Sequence, residues 1–190
     1  LFTLESLYSE DIAPSINTGF DSFFNSLRDL TRDPSNRGSR ANFIANAQGI
    51  VDVFNGVHED LRKLQLDMDQ DITGRVDEIN HLTGYIAQLN GEVVAAGEAA
   101  MDFVDKRDEA IRRLSQIVPI TVLPQDSGSV NIQMNGVGTL VQDSLTATVE
   151  ALPDPNNRRL VSLEFTGVGG GNRRDITGQI DRGELGGLLD

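Results

Sequence analysis

The stretch "INHLTGYIAQLN" (residues 79–90) decides how the chain is read. Ile79, Leu82, Ile86 and Leu89 recur at steps of three and four, which places them on one face of an α-helix. Polar residues fill the other positions, and Asn80 and Asn90 flank the stripe. A stripe of this period is a packing face. The same period continues upstream through Val76, Ile72, Met68, Leu64, Leu61 and Phe54 to Phe43, and downstream to Val93. No proline interrupts between Pro34 and Ala96.

The sequence therefore predicts one long helix over about 34–96, carrying a coiled-coil-like seam. A run of four-residue steps from Leu64 to Val76 marks a local discontinuity in it. Glycines at 49, 56, 74, 84 and 91 weaken the helix, each by up to ~1 kcal/mol relative to Ala. A bend at Gly74 or a break near Gly91 is expected.

Two shorter helices flank it. Phe23, Phe24, Leu27 and Leu30 share a face over about 20–31, with Asn17 or Thr18 as cap. Asp33-Pro34 reads as N-cap and first residue of the long helix. Residues 97–101 read as a loop, and Asp102 caps a helix over 102–118. Its buried face is Phe103, Val104, Ala110, Ile111, Leu114 and Ile117. Asp108–Arg112 and Glu109–Arg113 are spaced as i,i+4 ion pairs on its outer side.

After Pro119 the period changes to two. "SVNIQMN" places Val130, Ile132 and Met134 on one face of a strand. "SLTATVEAL" and "RLVSLEF" alternate likewise, separated by a turn at "PDPNN". Asp181 with Glu184 signals a new helix at "GELGGLLD". The expected class is α+β: long coiled-coil-like helices forming an elongated bundle, then a small antiparallel β segment. The expected division is a helical rod-like domain over 1–118, a β subdomain over 119–182 and the start of a returning helix over 183–190.

Composition excludes several functions. Of 190 residues, 29 are acidic and 16 basic, a net charge of −13, which disfavours a nucleic-acid partner. Aromatics are 5% and Trp is absent, so no base-stacking surface is expected. Without cysteine there is no disulfide, thiolate metal site or cysteine nucleophile. No apolar run approaches the ~18 residues that suggest a membrane span. The opening "LFTLESLYSEDIAPS" does not read as a cleavable secretory signal. The first residue, Leu1, and the last residues read as the ends of a piece of a longer protein.

Motifs for chemistry are scarce. His58-Glu59 begins a zinc-protease pattern, but position 62 is Arg, and both His58 and His81 read as solvated or edge residues. "GVGGGN" (167–172) reads as a flexible connection rather than a dinucleotide loop. Asp67, Asp69, Asp71 and Glu78 fall at positions 1, 3, 5 and 12 of a calcium loop. Ile72 stands where that loop needs Gly, and Met68, Ile72 and Val76 carry the helical stripe straight through it. The four are read as a solvated helix face. Asp105 and Glu109 are read the same way, not as an acid–base pair. No catalytic residue, metal ligand or cofactor site is expected.

Four segments together resemble the flagellar hook-associated protein 1 family, proteins of the hook–filament junction. In residues 20–55 the resemblance rests on Phe23-Phe24, Leu27, Leu30, Pro34, Arg40 and Ala47. "INHLTGYIAQLN" resembles a helix of that family. Residues 101–118 are similar to its Asp-x-x-Asp-x-Arg-Asp segment, with Asp102, Asp105, Arg107 and Asp108 in place, although the family often has Asn where Met101 stands. "GELGGLLD" resembles the small-residue start of its returning helix.

The resemblance implies a structural axial protein with no enzyme activity, exported by the flagellar type III route and assembled outside the cell. It implies the hook protein, a second junction protein and copies of itself as partners, with an export chaperone on a C-terminal part not included here. A related axial protein (the second junction protein or a flagellin-like subunit) and a calcium-dependent coiled-coil adhesin are the rival readings. In all of them Phe54, Leu61, Leu64, Ile79, Leu82, Ile86 and Leu89 are the packing seam.

Overall fold

The structure, a computed structural model, describes residues 13–154 and 161–189. The opening segment, residues 1–12, and most of the "PDPNN" turn lie outside the described residues. The chain divides into two compact units, 1–64 and 65–190. The expected boundary at Pro119 does not coincide with this division, because Leu114, Ile117 and Val118 share one core with the strands that follow.

In the first unit, α1 (Ala13–Arg32) runs against the N-terminal part of α2 (Arg37–Ala96). α1 starts earlier than its aromatic stripe suggests. Pro14 costs nothing in a first turn, where its missing N–H would have no partner. Asn17 and Thr18 are consequently helical residues and not caps. The pairing is antiparallel: the Phe20 ring lies edge-on to Phe54, with centroids 6.1 Å apart, and Phe23 lies 5.2 Å from Phe43.

The connection is three residues longer than Asp33-Pro34 implied. Asn36 is the cap of α2, its Oδ1 accepting from the N–H of Gly38 at 2.8 Å and of Ser39 at 3.2 Å. Arg40 Nε donates to Pro34 O at 2.8 Å and ties the turn back to the helix.

α2 is continuous through Gly74 and through Gly91, near which a break was expected. In the second unit its stripe is anchored by the buried Ile72, Val76, Ile79, Ile86, Leu89 and Val93. Burying such side chains is worth ~1.5–3 kcal/mol each, which outweighs the ~1 kcal/mol cost of a helical glycine. A 3₁₀ turn (Gly97–Ala99) leads into α3 (Met101–Ile117). The cap position of α3 is Ala100, and Asp102 sits instead in the first turn, where a negative charge suits the helix dipole.

Two antiparallel sheets follow. The first orders β1 (Ile120–Pro124), β2 (Val130–Met134), β3 (Gly138–Gln142) and β4 (Leu145–Thr146) as a meander, with a bulge between Ile132 and Gln133. The second orders β5 (Thr148–Pro153), β6 (Val161–Thr166) and β7 (Arg174–Asp175).

The stretch expected as one alternating strand thus splits at Ala147. Leu145 ends in the first sheet, 56% exposed, while Val149 is buried in the second. Asp143 makes the β3–β4 turn with φ 54°, a left-handed conformation that a short polar side chain tolerates. A 3₁₀ turn (Thr177–Gln179) leads to α4 (Gly183–Leu189). Gly183 has φ 79°, and a Cβ there would lie 2.5 Å from the carbonyl oxygen of Ile117, so glycine lets α4 start against the end of α3. One core joins α2, α3, both sheets and α4 through residues such as Ile86, Leu114, Ile132, Leu163 and Leu185.

Candidate helix–sheet clamp

Within the second unit, polar side chains of α2 and α3 are aimed at the backbone of the sheets. Asn80 Nδ2 donates to Val149 O at 2.7 Å, and its Oδ1 accepts from Val149 N at 3.0 Å. The side-chain amide thus mimics a strand residue pairing with β5, whose other edge is bonded to β6.

Asn90 does the same for β2. Its Oδ1 accepts from Val130 N at 3.0 Å, and its Nδ2 donates to Val130 O at 2.7 Å and to Asp143 O at 2.8 Å. Arg107 Nη1 donates to the same Oδ1 at 3.1 Å and to Gly128 O at 2.9 Å. Asn90 is therefore buried with both amide atoms fully used. The two asparagines that flank the opening stripe are the points where helix and sheet backbones are joined.

Arg107 is 6% exposed. Its Nε has no partner, and its two acceptors are neutral. Asp102, Asp105 and Asp108, which accompany it in the sequence motif, are exposed. The motif is thus one buried cation on the inner face of α3 with carboxylates outside it.

A second junction is ionic. Arg113 of α3 donates through Nε to Glu78 Oε1 at 2.6 Å and through Nη1 to Glu184 Oε1 at 2.6 Å. Arg75 reaches Glu78 at 2.7 Å and Glu184 at 3.2 Å. Two cations and two carboxylates thus tie α2, α3 and α4 together. Hydrogen bonding from Arg113 holds the carboxyls of both Glu78 and Glu184 below their ordinary value, partly opposed by burial; Arg75 adds to the lowering. The same two carboxylates raise the pKa of Arg113, with Glu78 the larger cause.

Sequence spacing paired Arg113 with Glu109. The structure gives it instead to Glu78 and Glu184, and Arg112 takes Glu109. Glu184 likewise serves this junction, where the sequence suggested a capping box with Asp181. Residues 35 and 71 positions away carry no periodic signal, so these partners were invisible in the sequence.

The calcium-type carboxylates Asp67, Asp69, Asp71 and Glu78 all lie on α2, with Glu78 committed to Arg113 and Arg75. One Asp69 carboxyl oxygen is buried without a hydrogen-bond partner. Among the described residues no group of three or more metal-ligating side chains comes together. His58 and His81 are both exposed on α2, as are Asp105 and Glu109 on α3.

The seam residues do not share one environment. Ile79, Ile86 and Leu89 are in the core of the second unit, and Leu82 packs partly buried against it. Phe54 and Leu61 in the first unit are 48% and 44% exposed, and Leu64 is half-buried. Phe20, Phe24, Ile44 and Val51 add to the exposed apolar surface of that unit, where Ser26 is the one buried residue among those described.

Comparison with known proteins gives this arrangement a lineage. A family model, "Flagellar hook-associated protein FlgK helical domain", matches residues 1–190. Flagellar hook-associated protein 1 of Salmonella typhimurium is 30% identical over 184 residues, covering 94% of this chain and 33% of that protein. Its counterpart in Escherichia coli is 29% identical over 180 residues, covering 92% of this chain and 33% of that protein, and the Bacillus subtilis protein is 26% identical over 155 residues, covering 80% of this chain and 30% of that protein.

The flagellar hook junction protein FlgK from Burkholderia pseudomallei has the same fold. It superposes with a TM-score of 0.89 at 22% identity over 98% of this chain and 34% of that one. The chain spans about a third of the length of the curated relatives it matches. From the match along its whole length, the chain belongs to the family of the flagellar hook-associated protein FlgK helical domain.

Proposed function

We propose that this chain is the helical part of a structural axial protein of the bacterial flagellum, acting as an adaptor at the hook–filament junction and required for filament assembly. The observation that carries the reading is the family match over all 190 residues. The side-chain chemistry is of the same kind: Asn80, Asn90 and Arg107 hold helices to sheets, and Arg75 and Arg113 hold helices to one another. In this reading the chain has no catalytic role and works by holding its shape.

The partners proposed are the hook protein, a second junction protein and further copies of the same protein, with an export chaperone on a segment outside this chain. The place of action is the extracellular flagellum, reached by type III export. The exposed apolar side chains of the first unit, Phe24 and Phe54 among them, are the proposed contact surface. The experiment is deletion of the full gene in its host and complementation with the intact copy. Loss of attached filaments and of swimming, restored by complementation, is expected. A deletion strain that builds attached filaments and swims normally would overturn the proposal.

A further inference from the structure

Three Asn-Gly pairs occur in the chain: Asn55-Gly56, Asn90-Gly91 and Asn135-Gly136. Asn-Gly is the dipeptide most prone to losing its side-chain amide, because glycine leaves the following nitrogen unshielded and its backbone free to turn. The fold treats the three pairs differently.

Asn55-Gly56 lies inside α2, where the peptide N–H groups are engaged by carbonyls four residues back and the backbone is fixed away from ring closure. Asn90-Gly91 lies in the same helix, and the Asn90 amide is buried and fully hydrogen-bonded. Asn135-Gly136 occupies the β2–β3 turn, exposed, with Gly136 at φ 77°. The backbone bonds of this turn run from Asn135 N to Pro119 O and from Val137 N to Met134 O, leaving the Gly136 N–H unused among the described residues. The pair lines an open cavity of about 350 Å³ with Pro119, Gly178, Gln179 and Asp181. Thr121 Oγ1 donates to Asn135 Oδ1 at 2.8 Å.

We propose that Asn135-Gly136 is a site of self-catalysed deamidation in the folded protein, and that the other two pairs are silenced by the fold. The Gly136 nitrogen attacks Cγ of Asn135 and gives its proton to solvent. The bond from Cγ to the side-chain nitrogen breaks, and ammonia leaves with a proton from solvent. A five-membered succinimide results, and water then opens it to aspartate or to isoaspartate. The net change is one ammonia lost and one water gained, without oxidation or reduction.

Charge develops on Asn135 Oδ1 in the first step, and the Thr121 hydroxyl is already placed on that oxygen. Isoaspartate adds a methylene to the backbone at position 135, next to the buried Met134 and two residues before the buried Val137, so the reaction loosens the hairpin from the core. A negative charge also appears on a turn that was neutral.

The test is to age the purified protein at mildly alkaline pH and follow each Asn-Gly peptide by mass spectrometry, natively and in urea. In the native protein Asn135 should convert at least about tenfold faster than Asn55 or Asn90, which react only through local opening. In urea the three rates should converge. Thr121→Val should slow native conversion at Asn135 while leaving the urea rate unchanged. Native conversion at Asn55 or Asn90 as fast as at Asn135, or an Asn135 that reacts only in urea, would overturn the proposal. An unaltered native rate in Thr121→Val would remove the role given to Thr121.

Discussion

Asn80 and Asn90, one turn either side of the most buried part of α2, each form a two-point pairing with a single strand residue, Val149 and Val130 respectively. The two are not equivalent. Asn80 is half-buried, whereas Asn90 is buried and also supports Arg107. Asn90→Ala strands Val130 N–H and two carbonyls, and it removes an acceptor from a buried guanidinium. A loss of at least about 2 kcal/mol is expected, from the ~1–3 kcal/mol cost of an unsatisfied buried group. Asn80→Ala should cost nearer ~1 kcal/mol, since water can reach the freed groups. Urea denaturation of the two variants checks the order.

The ionic junction predicts a pH dependence. Glu78 and Glu184 have folded-state pKa values below the ordinary 4.5. Their contribution is therefore complete above about that value and is lost as pH falls through the lower folded-state values. Their side chains are 30% and 38% exposed, so solvent screens the pairs and each is worth about 0.2–1 kcal/mol. Glu78→Gln and Glu184→Gln should each lower stability at neutral pH and flatten its decline in acid. Acid titrations of unfolding free energy that stay parallel to the parent protein's would contradict this.

Glycine substitutions should separate by position. Gly84 is exposed on α2, and a Cβ there meets nothing within 4 Å. Gly84→Ala should stabilise by up to ~1 kcal/mol. At Gly183 the added Cβ meets a carbonyl oxygen at 2.5 Å on a backbone of positive φ. Gly183→Ala should destabilise by ~1–3 kcal/mol through strain and displacement of α4. Thermal melts with the opposite ranking would refute the close approach of α3 and α4.

The stripe itself should behave as two materials. Ile86→Ala, in the core, should cost ~2–5 kcal/mol. Phe54→Ser and Phe24→Ser together should cost less than that, while reducing binding of an apolar dye and any self-association seen by light scattering. Dye binding unchanged by the double substitution would show that other residues form the exposed patch.

The helices were legible because their apolar period is long: the stripe from Phe43 to Val93 belongs to one helix in the structure. Strand faces were legible for the same reason, as at Val130, Ile132 and Met134, all buried. Ends and partners were not. The cap moved from Asp33 to Asn36 because local side-chain geometry, and not period, chooses it. The strand through Ala147 divided between sheets because alternation continues across a change of partner. Arg107 stood out only as part of the Asp-x-x-Asp-x-Arg-Asp segment, and its burial depends on Asn90 and Gly128, which are distant in sequence.

The two asparagine pairings act like pegs in an index plate. Ten residues of helix separate them by ~15 Å along the axis and turn them by roughly 80° about it. A peg at one height and angle would leave the helix free to pivot; two at different heights and angles fix translation and rotation together. Sliding by a single residue would require ~1.5 Å and ~100° of motion, and both pegs would have to leave their seats at once. Force applied along this part of α2 is therefore handed to the two sheets without creep, up to the point at which the whole joint releases.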